Sequence, residues 1–277
     1  MHQYLFFIGN FPIRAYGTLL AIAIISGACV AYYLTKKDGR GWHVHIVDFS
    51  IYVGIAGLIG ARLWDVLFFD WAYYHNHLLE IPFVWQGGMA IQGGVVLGTL
   101  VGIWYTKKHH IDTWAFADLF APALILAQSI GRMANLMNGD AFGTPTESNF
   151  GILYPETTLA YHTYGNQPLW PAEVWEGQID ILIFVILLLF SSFTHKKGQV
   201  FCLYAFLYSL ARFCLEFLRG DYAQPAFLTF TSAQTTSLIV ILLSIIVFTY
   251  LQVAGTNHKN LTTIENKNSY PTKKRKK

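Results

Sequence analysis

Seven stretches of about 20 mainly apolar residues constrain the fold of this chain more than any other feature. A helix needs about 20 such residues to cross the hydrocarbon core of a bilayer. The stretches cover approximately residues 13–34, 46–69, 83–105, 113–134, 173–194, 199–218 and 233–253. Only 13% of the 277 residues are charged, against about 25% in soluble domains. We therefore predict an all-α, polytopic membrane bundle of about seven transmembrane helices.

The lysines predict the orientation of the bundle. All twelve lie in the segments that follow the first, third, fifth and seventh stretches, and lysine-rich loops are typical of the cytoplasmic side. The N-terminus is expected outside and the C-terminus in the cytoplasm.

Residues 1–254 would form the membrane domain, with a small extracytoplasmic cap at about 140–172. The basic tail 255–277 is expected to touch anionic lipid, not nucleic acid. The N-terminus lacks the basic start of a signal peptide, so we expect the first helix to be retained.

Five of the seven arginines break the orientation pattern. Arg14, Arg62, Arg132, Arg212 and Arg219 lie within helices or at their outer ends. A charge inside the membrane is costly, so it is either paired or part of a functional site. Arg62 precedes Asp65 by three residues, which predicts an internal ion pair with a structural role.

The segment GRMANLMNGDAFG, residues 131–143, carries the densest group of polar residues near a membrane edge. Arg132, Asn135 and Asn138 are three residues apart and share one helix face. Gly139 is a suitable C-terminal cap, and Asp140 follows the turn.

The sixth stretch carries a second polar line. Tyr204, Tyr208, Arg212 and Glu216 are four residues apart, and Arg219 follows. Arginine is suited to planar contact with phosphate. Two interpretations remain open at this point. Either these arginines bind a phosphate, or Arg212 pairs with Glu216 and Arg132 pairs with Asp140.

Two further helices are expected to contribute to an outer-leaflet pocket. The third carries Gln92 beside a close-packing face of Gly94, Gly98 and Gly102, and the first places Arg14 and Tyr16 at the outer edge. Such a pocket suits an amphiphile with an anionic head. We expect neither a metal nor a cofactor, since no ligand spacing or nucleotide fingerprint is present. The three cysteines lie in apolar stretches and are interpreted as core residues.

The segment 131–143 resembles the signature of the prolipoprotein diacylglyceryl transferases, G-R-x-[GA]-N-[apolar]-[apolar]-N-x-E-x-x-G. The matching residues are Gly131, Arg132, Ala134, Asn135, Asn138 and Gly143, and Asp140 stands where the family has glutamate. PIRAYG, GARLWDVLF, GGMAIQGG, DLFAPALILAQSIGR and YSLARFCLEFLRGD resemble the same family in the same order. The resemblance covers most of residues 8–253.

The chain departs from the family pattern at two places. Gln92 stands where the family often has a histidine that is proposed as a base. The family motif H-P-T-Q-L-Y-E aligns with WPAEVWE, residues 170–176, in which only Pro171 and Glu176 are identical and Trp170 replaces the histidine. Neither replacement can take up a proton at neutral pH, so the resemblance leaves the proton acceptor unassigned.

The resemblance implies a reaction in the bacterial plasma membrane, at a site facing the outer leaflet. A diacylglyceryl group would move from phosphatidylglycerol to the lipobox cysteine thiol of a prolipoprotein. A thioether forms and glycerol 1-phosphate leaves, as the first step of lipoprotein maturation. The alternatives are another phospholipid head-group transferase and a transporter or channel for an anionic amphiphile.

The expected roles of the site residues follow from this reaction. Arg132 and Arg212 would bind the phosphate, Asn135, Asn138 and Tyr208 would donate to phosphate or glycerol oxygens, and Glu216 would orient Arg212. Tyr16 would line the thiol entrance, Gln92 would orient the head group, and Gly143 would let the chain turn at the substrate site. Asp140 would act as base, ion-pair partner or cap, and Arg219 would bind lipid or anchor its helix.

Overall fold

The computed structural model describes residues 3–9, 11–84, 87–193, 195–221 and 230–254. The predicted cytoplasmic tail 255–277 lies outside the described residues. The helices are α1 (Ala15–Asp38), α2 (Ile46–Trp64), α3 (Trp71–Tyr74), α4 (Ile91–Lys108), α5 (Thr113–Asn138), α6 (Leu159–Tyr164), α7 (Ala172–Ser192), α8 (Gln199–Leu215) and α9 (Ser232–Ala254). Strands β1 (Tyr4–Ile8) and β2 (Phe11–Arg14) form an antiparallel hairpin.

Within the described residues, six helical segments are long and apolar enough to cross a membrane. They are Ala15–Asp38, Trp42–Phe69, Thr113–Asn138, Ala172–Ser192, Gln199–Leu218 and Ser232–Ala254. The second and fifth combine an α-helix with short 3-10 or π turns. The prediction of a polytopic helical membrane protein is confirmed.

The third apolar stretch forms a shorter helix than predicted. Its helix, α4, begins at Ile91 rather than near residue 83 and has 18 residues. Gly87 and Gly88 adopt positive φ angles of 93° and 70°, so the chain just before α4 is not helical. Lys107 and Lys108 fall in its last turn, which leaves a shorter apolar stretch. For these reasons α4 is absent from the six segments above.

The N-terminal hairpin is a second correction, since an all-α fold was expected. Tyr4, Phe6 and Phe7 pair across to the strand that ends at Arg14. Gly9, with a φ of 58°, lies at the turn between the strands. Aromatic and branched residues favour strands, and in a short segment they are difficult to distinguish from the start of an apolar helix.

Helices α2 and α4 pack closely because glycines lie at their crossing. A Cβ on Gly60 would overlap the Gly93 carbonyl oxygen, and a Cβ on Gly93 would overlap that of Gly60. Further along α4, Gly98 and Gly102 face side chains of α2. The predicted close-packing glycine face is confirmed.

Arg62 has the structural role that was predicted, but with different partners. Its guanidinium donates to the carbonyl oxygens of Ile81 at 2.8 Å and Gly88 at 3.0 Å, and it lies over the Tyr74 ring. No ion pair within 4 Å joins it to Asp65 in the described part of the chain. Carbonyl groups of the connection before α4 thus stabilise a charge that is only 3% exposed.

The segment between α5 and α7 has a small core of its own. Phe142, Tyr154, Ala160 and Leu169 are buried together. The Ile152 amide donates to the Leu169 carbonyl oxygen at 2.9 Å, and the Leu169 amide donates to the Ile152 carbonyl oxygen at 3.0 Å. This compact loop lies at the end of α5 that carries the 131–143 segment.

Candidate active site

One buried carboxylate, that of Glu176, is the meeting point of three arginines. Its Oε1 lies 2.8 Å from Nη2 of Arg132, and its Oε2 lies 3.6 Å from Nη1 of Arg212 and 3.7 Å from Nη1 of Arg219. Glu176 is 1% exposed. These four residues, on α5, α7, α8 and the end of the α8 span, are called the arginine centre below.

The crossing of α5 and α7 explains how Arg132 reaches Glu176. The Ser129 hydroxyl donates to the Gly177 carbonyl oxygen at 2.8 Å. A Cβ on Gly177 would lie 3.3 Å from the Cβ of Arg132. Because Gly177 has no side chain, the two helices approach closely one position after Glu176, and the arginine stem packs against the crossing.

Each of the other two arginines has a second acidic partner. Arg212 lies 2.9 Å from Glu216, one turn along the chain, which confirms the pairing predicted from their spacing. Glu216 also accepts a 2.7 Å bond from the Thr231 hydroxyl. Arg219 donates twice to Asp221, at 2.8 and 2.6 Å. Bidentate pairs of this kind fix the orientation of a guanidinium.

Asp140 has a different partner from the one predicted. Its two oxygens accept bonds from the side-chain amides of Asn135 at 2.9 Å and Asn138 at 3.0 Å. The alternative in which Arg132 pairs with Asp140 is therefore wrong, because Arg132 is ion-paired with Glu176. Asn135 remains next to Arg132, which donates to its side-chain oxygen at 3.4 Å.

Gly139 and Gly143 of the 131–143 segment lie where the backbone has no space for a side chain. Gly139 caps α5 in the left-handed region, with a φ of 74°, as predicted. The Gly143 amide donates to the Trp170 carbonyl oxygen at 3.0 Å, and a Cβ there would overlap that oxygen. Gly143 also forms a β-bridge with Arg219, so it connects the loop to the arginine centre.

The predicted tyrosines lie near the arginine centre, whereas Gln92 does not join it. The Tyr208 hydroxyl accepts a bond from Arg132 at 3.3 Å. Tyr16, 37% exposed, lies within electrostatic range of Asp140 and Arg132. Gln92 is exposed at the start of α4, and its side chain makes no hydrogen bond to another described residue.

The sequence interpretation missed the acidic face of α7. Glu173, Glu176 and Asp180 are buried on this helix, at 0%, 1% and 0% exposure. Their spacing of three and four residues places them on one face. Glu173 accepts a short hydrogen bond from the Tyr154 hydroxyl. Acidic residues inside a membrane helix are a functional signal, and this one was available in the sequence.

The arginines of this site are paired with carboxylates, but two of them remain partly exposed. The side chains of Arg132 and Arg212 remain 20% and 12% exposed, while that of Arg219 is 5% exposed. Two guanidinium groups that share one carboxylate and remain accessible can bind one further anion between them. Phosphate matches this geometry because each guanidinium can donate two parallel hydrogen bonds.

The chain is similar to known proteins over most of its length. Residues 3–250 match the family model described as prolipoprotein diacylglyceryl transferase. The chain is 34% identical over 244 residues to the phosphatidylglycerol–prolipoprotein diacylglyceryl transferase of Staphylococcus saprophyticus, covering 87% of this chain and 86% of that protein. It is 36% identical over 224 residues to the protein of the same name from Acaryochloris marina, with 78% and 79% covered.

Proposed function

The chain belongs to the prolipoprotein diacylglyceryl transferase family, and from this premise we propose how its arginine centre works. The protein is a multi-pass membrane transferase that moves a diacylglyceryl group from phosphatidylglycerol to prolipoproteins. We propose that Arg132 and Arg212 bind the phosphate of the lipid. The observation that carries this proposal is their convergence, from two helices, on the single carboxylate of Glu176.

The arginines stabilise the group that leaves. When a thiol of the prolipoprotein attacks the glycerol carbon of the lipid, the carbon–oxygen bond to phosphate breaks and negative charge grows on that oxygen. Fixed cationic donors stabilise developing charge without reorganising. Because Glu176 and Glu216 hold the guanidinium groups in place, the donors are positioned before the lipid arrives.

The neighbouring polar residues position the substrates. Asp140 accepts one N–H from the side-chain amide of Asn135 and one from that of Asn138. The second N–H of each amide can then donate to a glycerol oxygen of the lipid. Both oxygens of Asp140 are occupied, which favours positioning over proton transfer. Tyr208 adds a hydroxyl beside Arg132, and Tyr16 lines the approach for the lipobox thiol. We retain Gln92 as a weaker candidate for contact with the head group, since no described contact brings it to the centre.

The topology proposed for this function has seven spans. Helix α4 lies along α2 through their glycine crossing, and we propose that it crosses the bilayer with the other six. The positions of the lysines support an external N-terminus and a cytoplasmic C-terminus. On this orientation the arginine centre faces the outer leaflet, and the loop of residues 140–172 forms a small cap over it.

A reconstitution assay tests the function. Purified protein in phosphatidylglycerol vesicles should release glycerol phosphate only when a peptide with a lipobox cysteine is present, and the peptide should gain a diacylglyceryl thioether. A peptide with serine in place of that cysteine is the matched control. Release without any thiol acceptor would favour another head-group transferase. Movement of the lipid between leaflets without release would favour a transporter.

A further inference from the structure

The reaction needs a proton acceptor, and this requirement rests on the proposed function. A thiol with a pKa of about 8.5 is mainly protonated at neutral pH and must lose its proton to become an effective nucleophile. General bases contribute about 10²–10⁴-fold to such steps. A carboxylate near the arginine centre that has an oxygen without a donor or cation would meet this requirement.

Most of these carboxylates are already occupied. Glu176, Glu216 and Asp221 are ion-paired with arginines. Asp140 accepts an amide N–H on each oxygen. A carboxylate that is held by cations or donors is stabilised in its charged form and is a weaker base.

Two buried carboxylates on α7 differ from these. Oε2 of Glu173 and both oxygens of Asp180 have no hydrogen-bond partner on another described residue. Asp180 lies seven residues along α7 from Glu173, which is about 10 Å deeper at 1.5 Å per residue. Glu173 lies in the first turn of α7, at the end next to the loop, where an acceptor peptide from outside would arrive.

The surroundings of Glu173 favour a single reactive oxygen. Its Oε1 is held by the Tyr154 hydroxyl. Burial, together with the neighbouring Glu173 carboxylate, raises the pKa of Tyr154 well above its usual range, so the hydroxyl remains a donor. Arg219 and Asp140 are the other charged groups in its electrostatic environment.

We propose that Glu173 accepts the thiol proton through Oε2, with Tyr154 positioning its carboxylate. The thiol proton moves to Oε2, and the sulfur forms a bond to the glycerol carbon. The bond from that carbon to the phosphate ester oxygen breaks, and its electron pair stays on the phosphate. Glu173 then returns the proton to that phosphate oxygen. In the aligned motif Glu173 stands where the family pattern has glutamine, so this chain has a titratable group there although Gln92 and Trp170 have none.

Glu173→Gln tests the proposal, because the amide keeps the shape and cannot take up the proton. In the vesicle assay we expect kcat to fall by about 10²–10⁴-fold, with little change in the KM for phosphatidylglycerol. The rate of the variant should then rise about tenfold per pH unit up to the thiol pKa of about 8.5, because only ionised thiol reacts. The unchanged protein should be nearly flat over the same range. Glu156→Gln, which changes an exposed loop carboxylate, is the matched control.

The outcomes are distinguishable. A Glu173→Gln enzyme with an unchanged rate, or with the same loss at every pH, overturns the role of Glu173 and leaves the proposed function standing. A parent enzyme that releases no glycerol phosphate overturns the proposed function itself. If Glu173→Gln does not accumulate in membranes, Glu173→Asp replaces it. Partial activity with the flat pH profile then supports the proposal, and complete inactivity of the folded protein contradicts it.

Discussion

Glu176 is the residue on which the site depends most. It carries one negative charge that three guanidinium groups share, and it is only 1% exposed. Removing one member of a buried ion pair costs about 3–5 kcal/mol, because the remaining charge is left without compensation. Without Glu176, Arg132 loses its one ion-pair partner among the described residues. Arg212 keeps Glu216 and Arg219 keeps Asp221, but the three guanidinium groups would repel one another.

Glu176→Gln should therefore lower both stability and activity. We expect a loss in the free energy of unfolding on the order of 3 kcal/mol, together with slower transfer, because the arginines lose their common anchor. Thermal unfolding in detergent and the vesicle assay measure the two effects. Glu156→Gln, in an exposed part of the loop, should change neither. An unchanged unfolding temperature for Glu176→Gln would contradict the central position assigned to this carboxylate.

Single residues were predictable from the sequence where their partners are local. The pair of Arg212 and Glu216 follows from a four-residue spacing, and the Gly139 cap follows from its place after a helix. The partners of Glu176 could not be assigned in this way, since its arginines come from α5 and from the α8 span. The pairing of Arg132 with Asp140 failed for the same reason, because a tertiary partner replaced a local one.

At the scale of helices, the close crossing of α2 and α4 depends on two residues without side chains. Gly60 and Gly93 contact each other's carbonyl groups. Small residues at such crossings let backbones approach in membranes, where packing drives association. The four-residue spacing of its glycines predicted the close-packing face of α4, but the sequence did not predict the late start of this helix. The start of α4 depends on the positive φ angles of Gly87 and Gly88, and the hydropathy of the sequence does not predict these angles.

Gly60→Leu should separate these helices, while Gly54→Leu on the same helix should not. A Cβ at position 60 would overlap the Gly93 carbonyl oxygen, whereas one at position 54 has no atom within 4 Å. Overpacking costs about 1–3 kcal/mol or more, so we expect a lower unfolding temperature in detergent for Gly60→Leu alone. Equal effects of the two substitutions would contradict the crossing.

For the molecule as a whole, the proposed function requires the arginine centre to face outward. The loop segment around Glu147 and the segment around Lys196 lie at opposite ends of the spans in the proposed topology. In a variant with Cys29, Cys202 and Cys214 replaced by alanine, a cysteine at Glu147 should react with an impermeant maleimide in intact cells. A cysteine at Lys196 should react only after permeabilisation. The reverse pattern would contradict the proposed orientation.

Phosphate binding by the arginine centre is tested by measuring glycerol phosphate release in single turnovers of Arg132→Ala and Arg212→Ala. Loss of one charge-stabilising donor costs about 10²–10³-fold in rate, so each variant should be slowed at least that much while remaining inserted in the membrane. Lys37→Ala, which removes an exposed positive charge near the end of α1, is the matched control and should retain its rate. Near-normal release by either Arg132→Ala or Arg212→Ala would contradict the assignment of the phosphate to the arginine centre.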